Sequence, residues 1–169
     1  MDFRVTQGDI AERSADAIVN AAGTSLRMGS GVAGALRRAG GEALNEAAVA
    51  RGPIELGEVA VTDAFALDAE YVIHAAAMPH YGDGRATVES VREATRNALI
   101  AADERGCRSL VLPILGTGAA GLPFAEGAGV VCEVVDAYEP DTLADVTVIA
   151  YGDEQYDRLR EVAAAVGRD

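Results

Sequence analysis

The chain has 169 residues, half of them hydrophobic, with 27 acidic residues against 14 basic ones and a formal net charge of −13. That length fits one domain on a guide of roughly 150 residues per domain. No apolar run reaches the length of a membrane-spanning helix, and so strong a negative charge speaks against binding to duplex nucleic acid or an anionic membrane surface.

All 14 basic residues are arginine. Without lysine, a P-loop nucleotide hydrolase is excluded, because its motif needs that side chain at the terminal phosphates. An acidic, lysine-free surface fits a protein kept soluble in concentrated salt, where a short Debye length screens self-repulsion. Cys107 and Cys132 are too few for a disulfide framework and read as reduced thiols. With two His and two Cys scattered along the chain, no zinc spacing exists and no metal or other cofactor is expected. Met1-Asp2-Phe3-Arg4-Val5 lacks the basic flank and apolar stretch of a signal peptide, so a cytoplasmic location is expected. A monomer is expected as well.

In chain order, Phe3 to Gln7 reads as a short strand and Ala17 to Asn20 as a fully buried one. Helices are predicted from Ala33 to Gly40 and from Glu42 to Ala50, broken by Gly40-Gly41. Glu58 to Thr62 and Tyr71 to Ala75 read as strands. Val88 to Arg105 is a long amphipathic helix with apolar positions at Val91, Ala94, Ala98, Leu99 and Ala102. Leu110 to Leu115 is a buried strand, and Phe124 to Tyr138 has helical periodicity weakened by Gly127 and Gly129. Val146 to Ala150 is the last strand and Glu154 to Val166 the last helix. This alternation predicts a single three-layer α/β/α domain over residues 1–169 with a mixed, largely parallel central sheet.

Two stretches carry one glycine spacing, G-x-G-x-x-G: Gly29-Ser30-Gly31-Val32-Ala33-Gly34 and Gly116-Thr117-Gly118-Ala119-Ala120-Gly121. Such loops bring backbone close to a ligand and turn several N–H groups toward it. Both follow strands and precede helices, so they should meet in the crevice at the carboxyl ends of the strands. Helix N-termini add partial positive charge there. A pair of phosphates is the ligand such a pincer suits. The bland alternative for either hexad is a tight turn. A Rossmann dehydrogenase fits poorly: the first hexad sits nine residues beyond Asn20, and Glu55, near the right distance for a ribose, lies in a loop.

Gln7-Gly8-Asp9-Ile10, Asp16-Ala17-Ile18-Val19-Asn20-Ala21-Ala22, Gly29-Ser30-Gly31-Val32, Tyr71-Val72-Ile73-His74 and Pro113 to Gly121 together resemble a macrodomain, block by block and in order. The resemblance covers about Phe3 to Val166. It implies binding of ADP-ribose, free or attached to a protein or metabolite, and in some members hydrolysis of ADP-ribosyl bonds. Carried onto this chain, it makes Asp9 an acceptor for the adenine amino group with the Ile10 backbone close by, although Asp9 also suits a helix N-cap. Tyr151 is the aromatic expected against adenine, with Tyr156 as a substitute; either could be packing. Asn20 would position the distal ribose or tie neighbouring loops. Gly29, Ser30, Gly31 and Val32 would line that ribose and the nearby phosphate. Gly116, Thr117, Gly118, Ala119 and Ala120 would wrap the diphosphate. The resemblance also implies a larger residue than Ala120 at that place, so alanine suggests a more open cleft.

The chain departs from hydrolytic macrodomains of the best-understood type, which carry Asn-Ala-Ala-Asn and an Asp two residues after the glycine loop. Here Gly23 and Ala33 stand at those positions, and neither orients or polarises a water. His80 and Asp83, in a turn with Tyr81, are the remaining catalytic candidates; His74 reads as a core histidine. The first expectation is an ADP-ribose binder. The alternative is a hydrolase acting on esters at the distal ribose, such as O-acetyl-ADP-ribose, protein-linked ADP-ribose or ADP-ribose-1''-phosphate. A nicotinamide dinucleotide oxidoreductase comes third.

Overall fold

The structure is a computed structural model that describes residues 1–80 and 83–166. Six strands are β1 (Asp2–Gln7), β2 (Ala17–Gly23), β3 (Val59–Asp63), β4 (Tyr71–Met78), β5 (Ser109–Pro113) and β6 (Asp145–Ala150). The helices are α1 (Gly31–Gly40), α2 (Glu42–Arg51), α3 (Val88–Glu104), α4 (Phe124–Ala137) and α5 (Asp153–Ala165). Two 3-10 turns, Ile10–Glu12 and Gly118–Ala120, complete the order.

The strands form one sheet in the order β1-β6-β5-β2-β4-β3. Every neighbouring pair is parallel except β3 with β4. Alternating side chains send the sheet's apolar residues into two cores. Ala17, Val19, Ile73, Leu110, Leu112 and Val148 meet α3, α4 and α5 on one face. Ile18, Val72, Val111 and Ile149 meet α1 and α2 on the other, through Leu36 and Leu44. Fully burying a leucine of this kind is worth roughly 1.5–3 kcal/mol. This is the expected three-layer α/β/α architecture with a mixed, mostly parallel sheet.

The elements depart from expectation mainly at their ends. β2 and β4 each run three residues further than predicted, and Ile114 and Leu115 leave β5 to begin the loop. α4 holds despite its glycines. At Gly127 a Cβ would come within 2.5 Å of Thr117 Cγ2 and 3.2 Å of the Leu115 carbonyl. The residue that weakens helix propensity is the one that lets α4 lie against the second glycine loop.

The lower end of the fold is locked by Asp103 near the end of α3. Its carboxylate accepts hydrogen bonds from the backbone amides of Asp141, Thr142 and Leu143 at 2.7–2.9 Å and from the Tyr138 hydroxyl at 2.8 Å. Burial alone would push this carboxyl up, but those donors outweigh it and hold it well below the ordinary range.

Candidate functional site

β2 and β5 are neighbours in the sheet, yet their ladder covers just Ala17↔Leu110 and Ile18↔Val111. β2 continues to Gly23 alongside β4, while β5 continues to Pro113 alongside β6. The two strands therefore part toward their carboxyl ends. Chain connections also diverge there, β2 feeding α1 and β5 feeding α4, which is where open α/β sheets hold ligands. A cleft of about 530 Å³ opens at this point, within the range of small-molecule sites.

Its floor is Ala21 and Ala22 from β2, Ala77 and Met78 from β4, Pro113 and Ile114 after β5, and Ile149 and Ala150 from β6. One wall is Ser30, Gly31, Val32, Ala35 and Arg38 of α1 and its approach; the other is Gly116 to Ala120 with Phe124. Gly8, Asp9 and Ile10 stand at one end with Tyr151 and Gln155.

Asp9 both caps and lines. Its Oδ1 accepts from the Ala11 amide at 2.9 Å, which is the N-cap role, and the residue still contributes to the cleft surface. Tyr151 is 76 % exposed at the cleft rim, whereas Tyr156 packs against the core and under Arg160. The α1 wall ends in a helix N-terminus: Ser30 is the N-cap without a side-chain cap hydrogen bond, so first-turn amides are available to a ligand.

The second loop separates its donors from its acceptors. The carbonyls of Gly116, Gly118 and Ala120 take hydrogen bonds from the amides of Leu122, Gly121 and Ala86 at 3.0–3.1 Å. Among the described residues, none of the amides of residues 116–120 donates to another backbone group. A run of amides left in this way forms a concave anion site. The conformation is held by left-handed φ of 78° at Gly116, 69° at Gly118 and 90° at Gly121. At Gly116 a Cβ would fall 2.3 Å from Val91 Cγ2. Thr117 anchors the loop by donating from Oγ1 to the Ile114 carbonyl at 3.2 Å.

Two residues expected at the ligand are not in the cleft wall: Asn20 and Gly29. Asn20 is fully buried within the sheet opposite His74, and its Nδ2 donates to His74 Nδ1 at 3.0 Å. With Nδ1 accepting, the imidazole proton is on Nε2, which faces Thr62 Oγ1 at 3.0 Å; Thr62 in turn donates to the Asp63 carbonyl at 2.9 Å. Burial, with the Arg51 charge adding to it, pushes the His74 imidazole down to about 4 and keeps it neutral. The row Asn20–His74–Thr62 ties β2, β4 and β3 together beneath the site. The Asn20 Oδ1 atom has no hydrogen-bond partner among the described residues.

The catalytic candidates also fall outside the wall. His80 Nδ1 lies 3.0 Å from Ser25 Oγ, its amide donates to Thr24 Oγ1, and Asp83 donates its amide to the His80 carbonyl. Neither side chain lines the cleft. Tyr81 lies outside the described residues. Gly23 ends β2, where a Cβ would be 3.2 Å from the Pro79 carbonyl, and Ala33 is buried in α1. No group of three or more His, Cys, Asp or Glu suited to a metal occurs among the described residues. Sequence reasoning missed Arg38, Phe124 and Gln155. Arg38 was legible as the i+4 neighbour of the glycine closing the first hexad.

The family model for the Macro domain matches residues 19–131. An uncharacterized protein of Sulfolobus acidocaldarius is 42 % identical over 96 % of this chain and 90 % of its own length. One of Pyrobaculum aerophilum is 40 % identical over 92 % of this chain and 87 % of its own. An uncharacterized protein of Mycobacterium tuberculosis is 39 % identical over the whole chain, which spans 46 % of that longer relative. Among solved structures, a variant of the Oceanobacillus iheyensis macrodomain with ADPR superposes with a TM-score of 0.88 at 26 % identity, covering 98 % of this chain and 93 % of that one. By the family model, these relatives and the shared architecture, the chain belongs to the Macro domain family.

Proposed function

We propose that this protein binds ADP-ribose, free or carried on a protein or metabolite, and does so chiefly through main-chain amides. The observation that carries the reading is the loop at 116–120, where the carbonyls of Gly116, Gly118 and Ala120 accept from the chain's own amides while none of the loop's amides donates to another backbone group among the described residues. The ADPR held by the Oceanobacillus iheyensis macrodomain, of closely similar fold, supports it. In this reading Asp9 accepts the adenine amino group, the Ile10 backbone lies beside it and Tyr151 covers the ring. The loop at 116–120 and the first turn of α1 take the diphosphate. Ser30, Gly31 and Val32 border the distal ribose. Asn20 acts from beneath, through β2.

The side chains at the distal end support binding rather than hydrolysis as the first reading. Gly23 and Ala33 offer no group to a water, and His80 and Asp83 stand outside the cleft wall. The reading includes a salt-adapted surface, supported by the net charge of −13 and the all-arginine basic complement.

Titration calorimetry with ADP-ribose, AMP and NAD in high salt tests it. ADP-ribose is expected to bind tightest and Asp9→Ala to lose most of that affinity; equal affinity for NAD would contradict the reading. Incubation with O-acetyl-ADP-ribose or a glutamate-linked ADP-ribosyl protein should release product at the no-protein rate, and faster release would restore the hydrolase.

A further inference from the structure

Two adjacent arginines near the end of α1 have different fates. Arg37 is committed to the fold: it donates to Glu42 at 2.9 and 2.6 Å and to the Met28 carbonyl at 2.8 Å. Arg38 lines the cleft instead and is its sole cationic lining residue among the described ones. The ion pairs found among the described residues engage Arg4, Arg37, Arg92 and Arg158, not Arg38.

A long side chain on a helix leans back over the preceding turn. Arg38 Nη1 accordingly lies 3.4 Å from the point a Cβ on Gly34 would occupy. The bare Cα of Gly34 gives the guanidinium its berth, and Gly31 and Val32 in the first turn of the same helix line the same cleft. A guanidinium presents a planar fork of donors suited to phosphate oxygens. In a chain with a net charge of −13, a cation at this spot raises the local potential where an anionic ligand would otherwise be repelled.

We propose that Arg38 is a specificity-determining residue of the cleft, supplying the side-chain positive charge that favours diphosphate-bearing ligands over the nucleoside alone. The inference rests on the ADP-ribose reading and adds to it a residue and a physical origin for phosphate selectivity.

The test is calorimetry of the full chain, Arg38→Gln and Arg38→Lys with ADP-ribose, ADP and adenosine, over the salt range in which circular dichroism shows each chain folded. Arg38→Gln should weaken ADP-ribose and ADP by about threefold to tenfold at the lowest salt, with the gap narrowing as salt screens the charge. Adenosine affinity should not change, and Arg38→Lys should recover part of the loss. Equal ADP-ribose affinity for wild type and Arg38→Gln at the lowest salt would overturn the inference while leaving the functional reading intact. So would an equal loss toward adenosine, or a gap independent of salt. A wild-type chain that binds no ADP-ribose overturns the functional reading, and this inference with it.

Discussion

In the loop at 116–121, all three glycines of the hexad hold left-handed φ, and at Gly116 the space beside the backbone is filled by Val91 and Ala86. In the hexad at 29–34, Gly31 has a φ of 60° with nothing within 4 Å of where a Cβ would stand, while Gly34 is helical and its Cβ would lie 2.9 Å from the Gly29 carbonyl. One spacing thus answers two physical demands. The second loop needs all three glycines for its own conformation; in the first Gly31 alone holds left-handed φ, and Gly34 is needed so that α1 closes on the loop that feeds it. A shared motif is therefore no guarantee of a shared structural reason, and the two loops should fail differently.

Gly116→Ala is the largest expected break. Forcing a side chain into left-handed φ and against Val91 should cost about 2–5 kcal/mol of stability and abolish measurable ADP-ribose binding in calorimetry. Retained binding would mean that the second loop tolerates what its geometry forbids.

Acidification probes the scaffold under the first loop, because β2 is tied through Asn20 to the neutral His74. Between about pH 6.5 and 4 the unfolded chain carries a proton on this imidazole that the folded chain does not. Stability therefore rises with pH through that window and falls on acidification, by about 3 kcal/mol in all. Asp103 acts in a lower window. Its stabilisation is complete above the ordinary carboxylate pKa and is lost as pH falls from there toward its depressed folded value. Denaturant midpoints at pH 7, 5 and 3 separate the two, and a midpoint unchanged from pH 7 to 5 would contradict a buried neutral His74.

Gly34→Ala should come next. Alanine gains up to about 1 kcal/mol of helix propensity, but overpacking against Gly29 costs about 1–3 kcal/mol, for a small net loss by thermal melting. Gly31→Ala should cost a comparable amount, about 1–2 kcal/mol from backbone strain alone, with nothing for its methyl to strike. If Gly31→Ala proves worse than Gly116→Ala, the contrast between the loops is reversed.

The layered fold was legible because buried strands and amphipathic helices alternate along the chain, each with its own periodicity. The glycine blocks and Asp9 located the cleft. What periodicity does not carry is pairing. The antiparallel β3 and the parting of β2 from β5 are decisions made between segments. The partner of Asn20 was hidden for the same reason: a polar residue ending an apolar run reads as a ligand contact or a tie between loops, and only the opposing strand supplies His74. Arg38 belongs to no cluster of basic residues, yet one cation beside a glycine is enough to line a cleft. Gly127 weakened a helix by propensity that close packing against Thr117 required.

The most direct test is a titration of the isotopically labelled protein with ADP-ribose and then, separately, adenosine, following the backbone amide resonances. ADP-ribose should shift the amides of residues 116–120 and of the first turn of α1, and adenosine should leave those of 116–120 in place while moving residues near Asp9 and Tyr151. Saturating ADP-ribose that leaves the 116–120 amides unmoved would contradict a diphosphate held by main-chain donors.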